Sequence, residues 1–314
     1  MRVLIALGGN AMTGPGGSAT PDDQDRAVRV AMDSVADLVA AGVDVVLTHG
    51  NGPQVGNLLV KNELAAQVVP PVPLDWCGAQ TQGTIGFLIL DALDAALADR
   101  GVARPVATVV TRTLVDGDDP GFARPTKPIG RYLPESEAKP LVEHGQTWED
   151  RGDKGWRRVV ASPEPLEIID APAIEALSSA GFVVVGAGGG GIPVVRRDGT
   201  HLHGVEAVID KDLSAALLAR AVGAETLVIA TDVEHVVLGF GTADARPVER
   251  VTATQMRDLQ RGHDFASGSM GPKVEAAVRF VEAGGTRSVI TSLDNIELAA
   301  HGKAGTVIER GETS

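Results

Sequence analysis

The chain holds one cysteine, Cys77, in 314 residues. No internal disulfide can form, which suits a reducing compartment, and a cytoplasmic protein is expected. A lone thiol is either a small buried hydrophobe or a nucleophile, and both readings stand at this point. Aromatic side chains supply only 3% of the residues. Positive charge is also in short supply. Lys and Arg total 28 against 41 Asp and Glu, a formal net charge of −13. That balance excludes a broad nucleic-acid surface. Any anion site must then be a local cluster of lysines and backbone N–H groups. No apolar run is long enough to span a bilayer. The opening run Met1–Leu7 meets glycines at once and lacks the cleavage site of a signal peptide, so it reads as a buried strand.

Several chemical signatures are missing as well. No Gly-x-x-x-x-Gly-Lys-Ser/Thr occurs, which removes the P-loop nucleotidases. No Gly-x-Ser-x-Gly elbow or Ser-His-Asp order is present. The run Gly186–Gly191 matches Gly-x-Gly-x-x-Gly after a predicted strand. The following Ile192-Pro193-Val194-Val195 reads as extended chain and not as the helix that a dinucleotide site requires. His201 and His203 alternate on a predicted hairpin, but no Cys or further His completes a set of ligands, and no metal site is assigned. His49 lies beside Asn51, where a catalytic role and a core hydrogen-bonding role are both open.

What is abundant is Ala, Val, Leu and Gly, enough for a sizeable core. Short apolar strands at Arg2–Leu7, Asp44–Leu47, Val106–Val110, Phe182–Val185, Thr226–Ala230, Val289–Thr291 and Thr306–Ile308 alternate with helical periodicity. Helices are expected over Asp22–Ala41, Gly78–Leu97 and Ala171–Ser179. This order implies a three-layer α/β/α sandwich with a mainly parallel central sheet. Glycine turns at Gly8–Asn10, Gly50–Gly52 and Gly186–Gly191 each follow a strand's C-terminal end, the edge at which open α/β sheets bind ligands. Three such loops are expected to line one crevice. Asp116–Pro165 differs from the rest: it is rich in Pro, Gly and charge, yet holds Tyr132, Trp148 and Trp156. It reads as an inserted lobe, a lid on a single domain spanning 1–314, pinned by those rings.

Two lysines stand where helices open. Val205–Ile209 is apolar enough to be buried, and Leu213, Leu217 and Ala221 then recur at helical spacing, with Asp210 as the N-cap. Lys211 therefore sits in a first turn, where the helix dipole repels a cation by roughly 0.3–1 kcal/mol. Asp210 and Asp212 could offset this alone, or a bound anion could. Lys273 repeats the pattern behind Gly268-Ser269-Met270-Gly271, with Pro272 suited to the first helical position. Lys127, between Pro125-Thr126 and Pro128, has a stiff backbone in the inserted lobe. Two helix-opening lysines and several glycine turns together favour a phosphate-bearing ligand.

These residues also carry a resemblance. ALGGNA at Ala6–Ala11, THGNGPQVG at Thr48–Gly56, PTKPIG at Pro125–Gly130, GWRRVVASPEP at Gly155–Pro165, GGGGIPV at Gly188–Val194, GVEAVIDKDL at Gly204–Leu213 and GSMGPKVEAAVRF at Gly268–Phe280 resemble carbamate kinase, a branch of the amino-acid kinase superfamily. The resemblance implies reversible phosphoryl transfer between ATP and carbamate, Mg²⁺ bound with the nucleotide, a cytoplasmic homodimer, an eight-stranded sheet and a place in arginine breakdown by the deiminase route. It implies that Gly8, Gly9, Asn10, Gly50, Asn51 and Gly52 hold the carbamate and the transferred group. Lys127, Lys211 and Lys273 would neutralise phosphate oxygens, and Asp212 would orient lysines. Asp232 and Met270, with Lys211 and Lys273, would line the nucleotide side. The anionic carbamate oxygen would be the nucleophile, so no general base is required. Departures fall at Trp76–Gln82 and at Arg131, which stands where a less charged residue is expected.

Overall fold

In a computed structural model, residues 1–14, 18–143, 145–262 and 270–311 are described. An eight-stranded sheet runs Arg250–Thr252, Thr306–Glu309, Arg287–Ser292, Thr226–Thr231, Arg2–Leu7, Asp44–His49, Val183–Val185, Val106–Thr108. Neighbours are parallel except at Arg287–Ser292 against Thr306–Glu309, so the two strands at that edge oppose the other six. The first strand has the pattern of one covered on both faces, buried continuously from Val3 to Leu7. Alternation then assigns its sides. Val3, Ile5 and Leu7 join a core built with helices Pro21–Ala40 and Leu74–Asp99. Leu4 and Ala6 join a second core with helices Ala171–Ser179, Lys211–Ala221 and Met270–Glu282. The three layers follow from this two-sided burial.

Register decides what meets at the C-terminal edge. Leu7 pairs with His49 on one side and Ala230 on the other. Gly8 and Gly50 therefore leave the sheet side by side. The Gly8 N–H donates to the Ala230 carbonyl at 2.9 Å, and that of Gly50 to the Leu7 carbonyl at 2.9 Å. The chain moves from Arg2–Leu7 to Asp44–His49 on one side and later adds Thr226–Thr231 on the other. This is a change of direction in strand order of the kind that opens a crevice.

Residues 116–165 contain a sheet of their own, with Lys127–Leu133, Trp156–Val160 and Thr147–Asp150 paired antiparallel. Leu133, Ala138 and Trp148 form a small core, with Leu141 and Trp156 against it. Tyr132 is not part of that nucleus. Its ring is exposed and lies under the Arg157 guanidinium, 4.9 Å from carbon to centroid. Ile129 and Val160 instead share a core with Val55, Leu59, Leu74 and Cys77, which anchors the segment to helices Gly52–Ala65 and Leu74–Asp99. There the backbones touch: a methyl group on Gly56 would come within 3.1 Å of Gly130 Cα.

Some boundaries differ from expectation for identifiable reasons. Helix Leu74–Asp99 begins four residues earlier than its periodicity predicts, because Glu206 accepts the Leu74 N–H at 2.9 Å. That cap comes from 132 residues away and leaves no local signal. Val205–Ile209 is only partly buried, through Ala207 and Ile209. Helix Met270–Glu282 starts before Pro272, which becomes its third residue. The hairpin of Ile192–Arg197 and His201–Gly204 forms, turning at Asp198 and Gly199 with φ of 52° and 74°. His201 and His203 are exposed on it. The Thr13–Thr20 loop is described only in part, and Gly268, Ser269 and the Asn10 side chain lie outside the described residues.

Candidate active site

Helix Lys211–Ala221 opens as its sequence dictates. Asp210 Oδ1 accepts from the N–H groups of Asp212 and Leu213 at 2.9 and 3.3 Å, a regular N-cap. The other Asp210 oxygen, Oδ2, receives Lys127 Nζ at 2.9 Å, so one carboxylate joins the helix start to the inserted lobe. Asp212 is nearly inaccessible and also bridges two partners. Lys211 Nζ donates to its Oδ1 at 2.7 Å, and Lys273 Nζ to its Oδ2 at 3.0 Å. The two lysines, 62 positions apart in sequence and each in the first turn of its own helix, thus share one buried anion.

The glycine turns lie against this cluster. A methyl group on Gly50 would sit 3.6 Å from Lys211 Cδ and Cε and 3.4 Å from the Gly9 nitrogen. Gly9 opens a 3-10 turn, Gly9–Met12, and Gly52 opens helix Gly52–Ala65. Both starts present N–H groups that no turn of their own can satisfy. The Asn51 side chain does not cap the second; its Nδ2 donates to Thr81 Oγ1 at 2.8 Å.

Electrostatics at the cluster are unbalanced. Among the described residues three ammonium groups meet two carboxylates, leaving one positive charge in excess before helix ends are counted. Burial pushes the Lys211 ammonium below the usual lysine range, and Lys273 adds to this, while Asp212 opposes it. For Asp212, burial would raise the carboxyl, but Lys211 and Lys273 outweigh it and hold it below the ordinary aspartate value. A cationic pocket with a desolvated lysine gains from any anion that enters.

Glycine usage separates two kinds of loop. At Gly9 the nearest atom to an added methyl is 4.0 Å away, and at Gly52 nothing lies within 4 Å. Neither has the positive φ that would demand glycine. Nothing in the described protein requires a missing side chain there; close approach of a ligand to the backbone would. Gly186–Gly191 is the opposite case, and the expectation that it lines the crevice is corrected. A methyl on Gly188 would overlap the His49 ring, one on Gly189 the Asn51 amide, and one on Gly191 the Thr113 hydroxyl. The Gly190 carbonyl accepts from Ser214 Oγ at 2.8 Å and Thr113 Oγ1 at 2.9 Å. This loop is a buried support.

His49 belongs to that support. It is 1% exposed, its Nδ1 pairs with the Gly50 carbonyl at 2.9 Å, and burial lowers its pKa to about 4. A neutral imidazole that shapes the Gly50 turn answers the question left open by sequence. Cys77 is likewise buried, and burial raises its thiol pKa, so the structural reading holds. Sequence reasoning missed Gln82. Its Nε2 donates to the carbonyls of Thr111 and Gly188 at 3.1 and 3.0 Å, and its Oε1 accepts the Thr111 N–H at 2.8 Å. The helix holds two glutamines, Gln80 exposed and Gln82 buried, and the sequence alone does not say which one turns inward.

The nucleotide-side candidates lie at the margin. Asp232 is exposed just past Thr226–Thr231 and accepts from Thr231 Oγ1 at 3.0 Å. Met270 is the first residue of the helix that carries Lys273 and packs against the second core. No group of three or more His, Cys, Asp or Glu that could hold a metal occurs among the described residues.

Comparison with known proteins adds an independent line. The amino acid kinase family model matches residues 1–292. The carbamate kinase of Thermococcus kodakarensis is 47% identical over 313 residues, covering 98% of this chain and 99% of that protein. A carbamate kinase-like protein of Escherichia coli, YahI, is 48% identical over 312 residues, covering 98% of each. Among solved structures, carbamate kinase from Giardia lamblia bound to AMP-PNP superposes with a TM-score of 0.92 at 41% identity, covering 99% of this chain and 98% of that one.

Proposed function

Because the chain belongs to the amino acid kinase family, and within it to the carbamate kinases, we propose that its lysine cluster transfers a phosphoryl group between carbamoyl phosphate and ADP, giving ATP and carbamate, and the reverse. The observation that carries this is Asp212, which holds Lys211 and Lys273 on the same buried carboxylate beside glycine turns that no packing demands.

In this reading Lys211 and Lys273 neutralise oxygens of the migrating group, and Asp212 orients them. Lys127 contributes a third charge from the lobe, tethered by Asp210 until substrate competes for it. Backbone N–H groups of Gly9, Asn10, Asn51 and Gly52 hold the acceptor and the phosphoryl oxygens, while Gly8 and Gly50, whose own N–H groups are taken up by the sheet, leave room for the ligand to approach the backbone. Asp232 and Met270 flank the nucleotide. Carbamate brings its own anionic nucleophile, so the protein's task is positioning and charge stabilisation. The absence of a catalytic base at His49 agrees with this. Mg²⁺ bound with the nucleotide would offset charge on its phosphates.

Two coarser features extend the reading. No helix among the described residues is long and apolar enough to cross a membrane; the single cysteine suits a reducing compartment, and on that ground we place the enzyme in the cytoplasm. Leu64, Val68, Trp76 and Phe87 are exposed apolar side chains on or just beyond helices Gly52–Ala65 and Leu74–Asp99, which supports a homodimer. Light scattering tests the latter.

The deciding experiment is ATP formation from ADP and carbamoyl phosphate in a coupled assay, set against glutamyl and acetylglutamyl phosphates. Robust turnover with carbamoyl phosphate alone is expected. A protein that ignores it, or prefers an amino-acid acyl phosphate, has another function.

A further inference from the structure

A crevice of about 690 Å³ lies outside the lysine cluster, between the lobe strand Lys127–Leu133 and the first half of helix Gly52–Ala65. Its walls include Thr20, Gly52, Asn57, Gly130, Arg131 and Arg157, and no acidic residue among the described residues lines it. Two of its wall residues neighbour candidate site residues in sequence, since Gly52 follows Asn51 and Pro128 follows Lys127. Strand order puts it on the Asp44–His49 side of Arg2–Leu7, whereas Asp232 follows Thr226–Thr231 on the other side. The crevice therefore opens on the acceptor side and not on the nucleotide side.

Two guanidinium groups facing a space without carboxylates are unusual in a chain of net charge −13. The Arg131 side chain is exposed and makes no ion pair or hydrogen bond among the described residues. Arg157 is held in place without being neutralised. Its Nη1 donates to the Tyr132 hydroxyl at 3.3 Å, its plane lies over the Tyr132 ring, and its Nε is buried without a partner. A buried donor lacking an acceptor is costly, and Nε, being buried, is not reached from the crevice; Nη2, which makes no hydrogen bond among the described residues, is the donor left for a ligand oxygen. Guanidinium forks match phosphate oxygens two at a time.

We propose that Arg131 and Arg157 form a capture subsite for the dianionic phosphate end of the incoming acyl phosphate, binding it at the mouth of the crevice before it passes to Lys127, Lys211 and Lys273. The proposal rests on the reaction assigned above. Its effect is on arrival: a positive cleft with low-dielectric walls raises the association rate of an anion, more so at low salt.

The test measures initial rates of ATP formation with carbamoyl phosphate varied, saturating MgADP, and several concentrations of KCl. Arg131→Ala and Arg157→Ala are each expected to lower kcat/KM for carbamoyl phosphate about tenfold at low salt and to flatten its salt dependence. Both should leave kcat and the KM for ADP within about twofold, and Arg157→Lys should recover part of the loss. Arg151→Ala removes the same charge elsewhere on the lobe, where Arg151 pairs with Glu149 at 2.5 Å, and should change none of these. If Arg157→Ala does not fold, Arg131→Ala at an exposed position still decides. Active wild type with arginine variants of unchanged kcat/KM and salt slope, or no worse than Arg151→Ala, overturns the subsite alone. Wild type inert with carbamoyl phosphate overturns the reaction, and the subsite with it.

Discussion

Asp212→Asn strips the charge from the carboxylate that two lysines share while nearly preserving its shape. At 2.7 and 3.0 Å, each ammonium gains on the order of 5 kcal/mol of attraction at an effective dielectric of about 20, before desolvation is subtracted. Removing one partner from a buried ion pair typically costs about 3–5 kcal/mol, because the other charge is left behind. Here the lower end applies. Lys211 is already pushed down by burial, and without Asp212 it can release its proton. The ligand-free variant should therefore lose about 3 kcal/mol of stability near neutral pH, read as a shifted urea midpoint by circular dichroism. The gap should narrow as pH rises. A lysine whose folded pKa lies below its unfolded value binds fewer protons in the native state, so stability climbs with pH toward the ordinary lysine range. MgADP should restore part of the loss by supplying anions. Turnover should fall by about 10²–10³-fold, since the lysines lose their orientation. A variant with an unshifted midpoint and normal turnover would refute the claim that this carboxylate organises the cluster.

His49 gives a second pH signature. Its folded pKa of about 4 lies below the unfolded value of 6.5, so wild-type stability should fall by about 3 kcal/mol as pH drops from 6.5 to 4. His49→Gln should show a flatter urea midpoint over that window; equal slopes would remove the assignment. Gly188→Ala, whose methyl would overlap the His49 ring, should cost about 1–3 kcal/mol in a denaturation assay. Gly52→Ala meets nothing within 4 Å, so it should melt like wild type yet raise the KM for carbamoyl phosphate. If Gly52→Ala unfolds and Gly188→Ala does not, the division between supporting and ligand-facing glycines is wrong. Cys77 should resist a thiol reagent such as iodoacetamide in the native protein and react once the protein is unfolded in urea; equal native and unfolded rates would contradict its burial.

Much of the architecture was legible because its signals are local. Val3–Leu7 and Leu227–Ala230 are continuous apolar runs, and a strand buried on both faces must be one. Asp210 and the periodic leucines after it announce a helix start that the N-cap hydrogen bonds bear out. The extended reading of Ile192–Val195 also held, which kept the glycine run before it from being taken for a dinucleotide site. The start of helix Leu74–Asp99 was not legible, because Glu206 caps it from another part of the chain. The role of Gly186–Gly191 was misjudged for a related reason. A glycine that admits a ligand and a glycine that admits a histidine ring are the same letter, and only the neighbour distinguishes them.

The amino-acid order alone indicated the strands of the main sheet and that lysines stand in the first turns of two helices, since caps, periodicity and proline act within a few residues. It could not settle which charges meet. Asp212 takes Lys273 as well as its neighbour Lys211, and Asp210 takes Lys127 from the lobe, through contacts between segments tens of residues apart. Electrostatic energy depends on distance and on exclusion of water, and both quantities come into existence only when the sheet and its helices have packed.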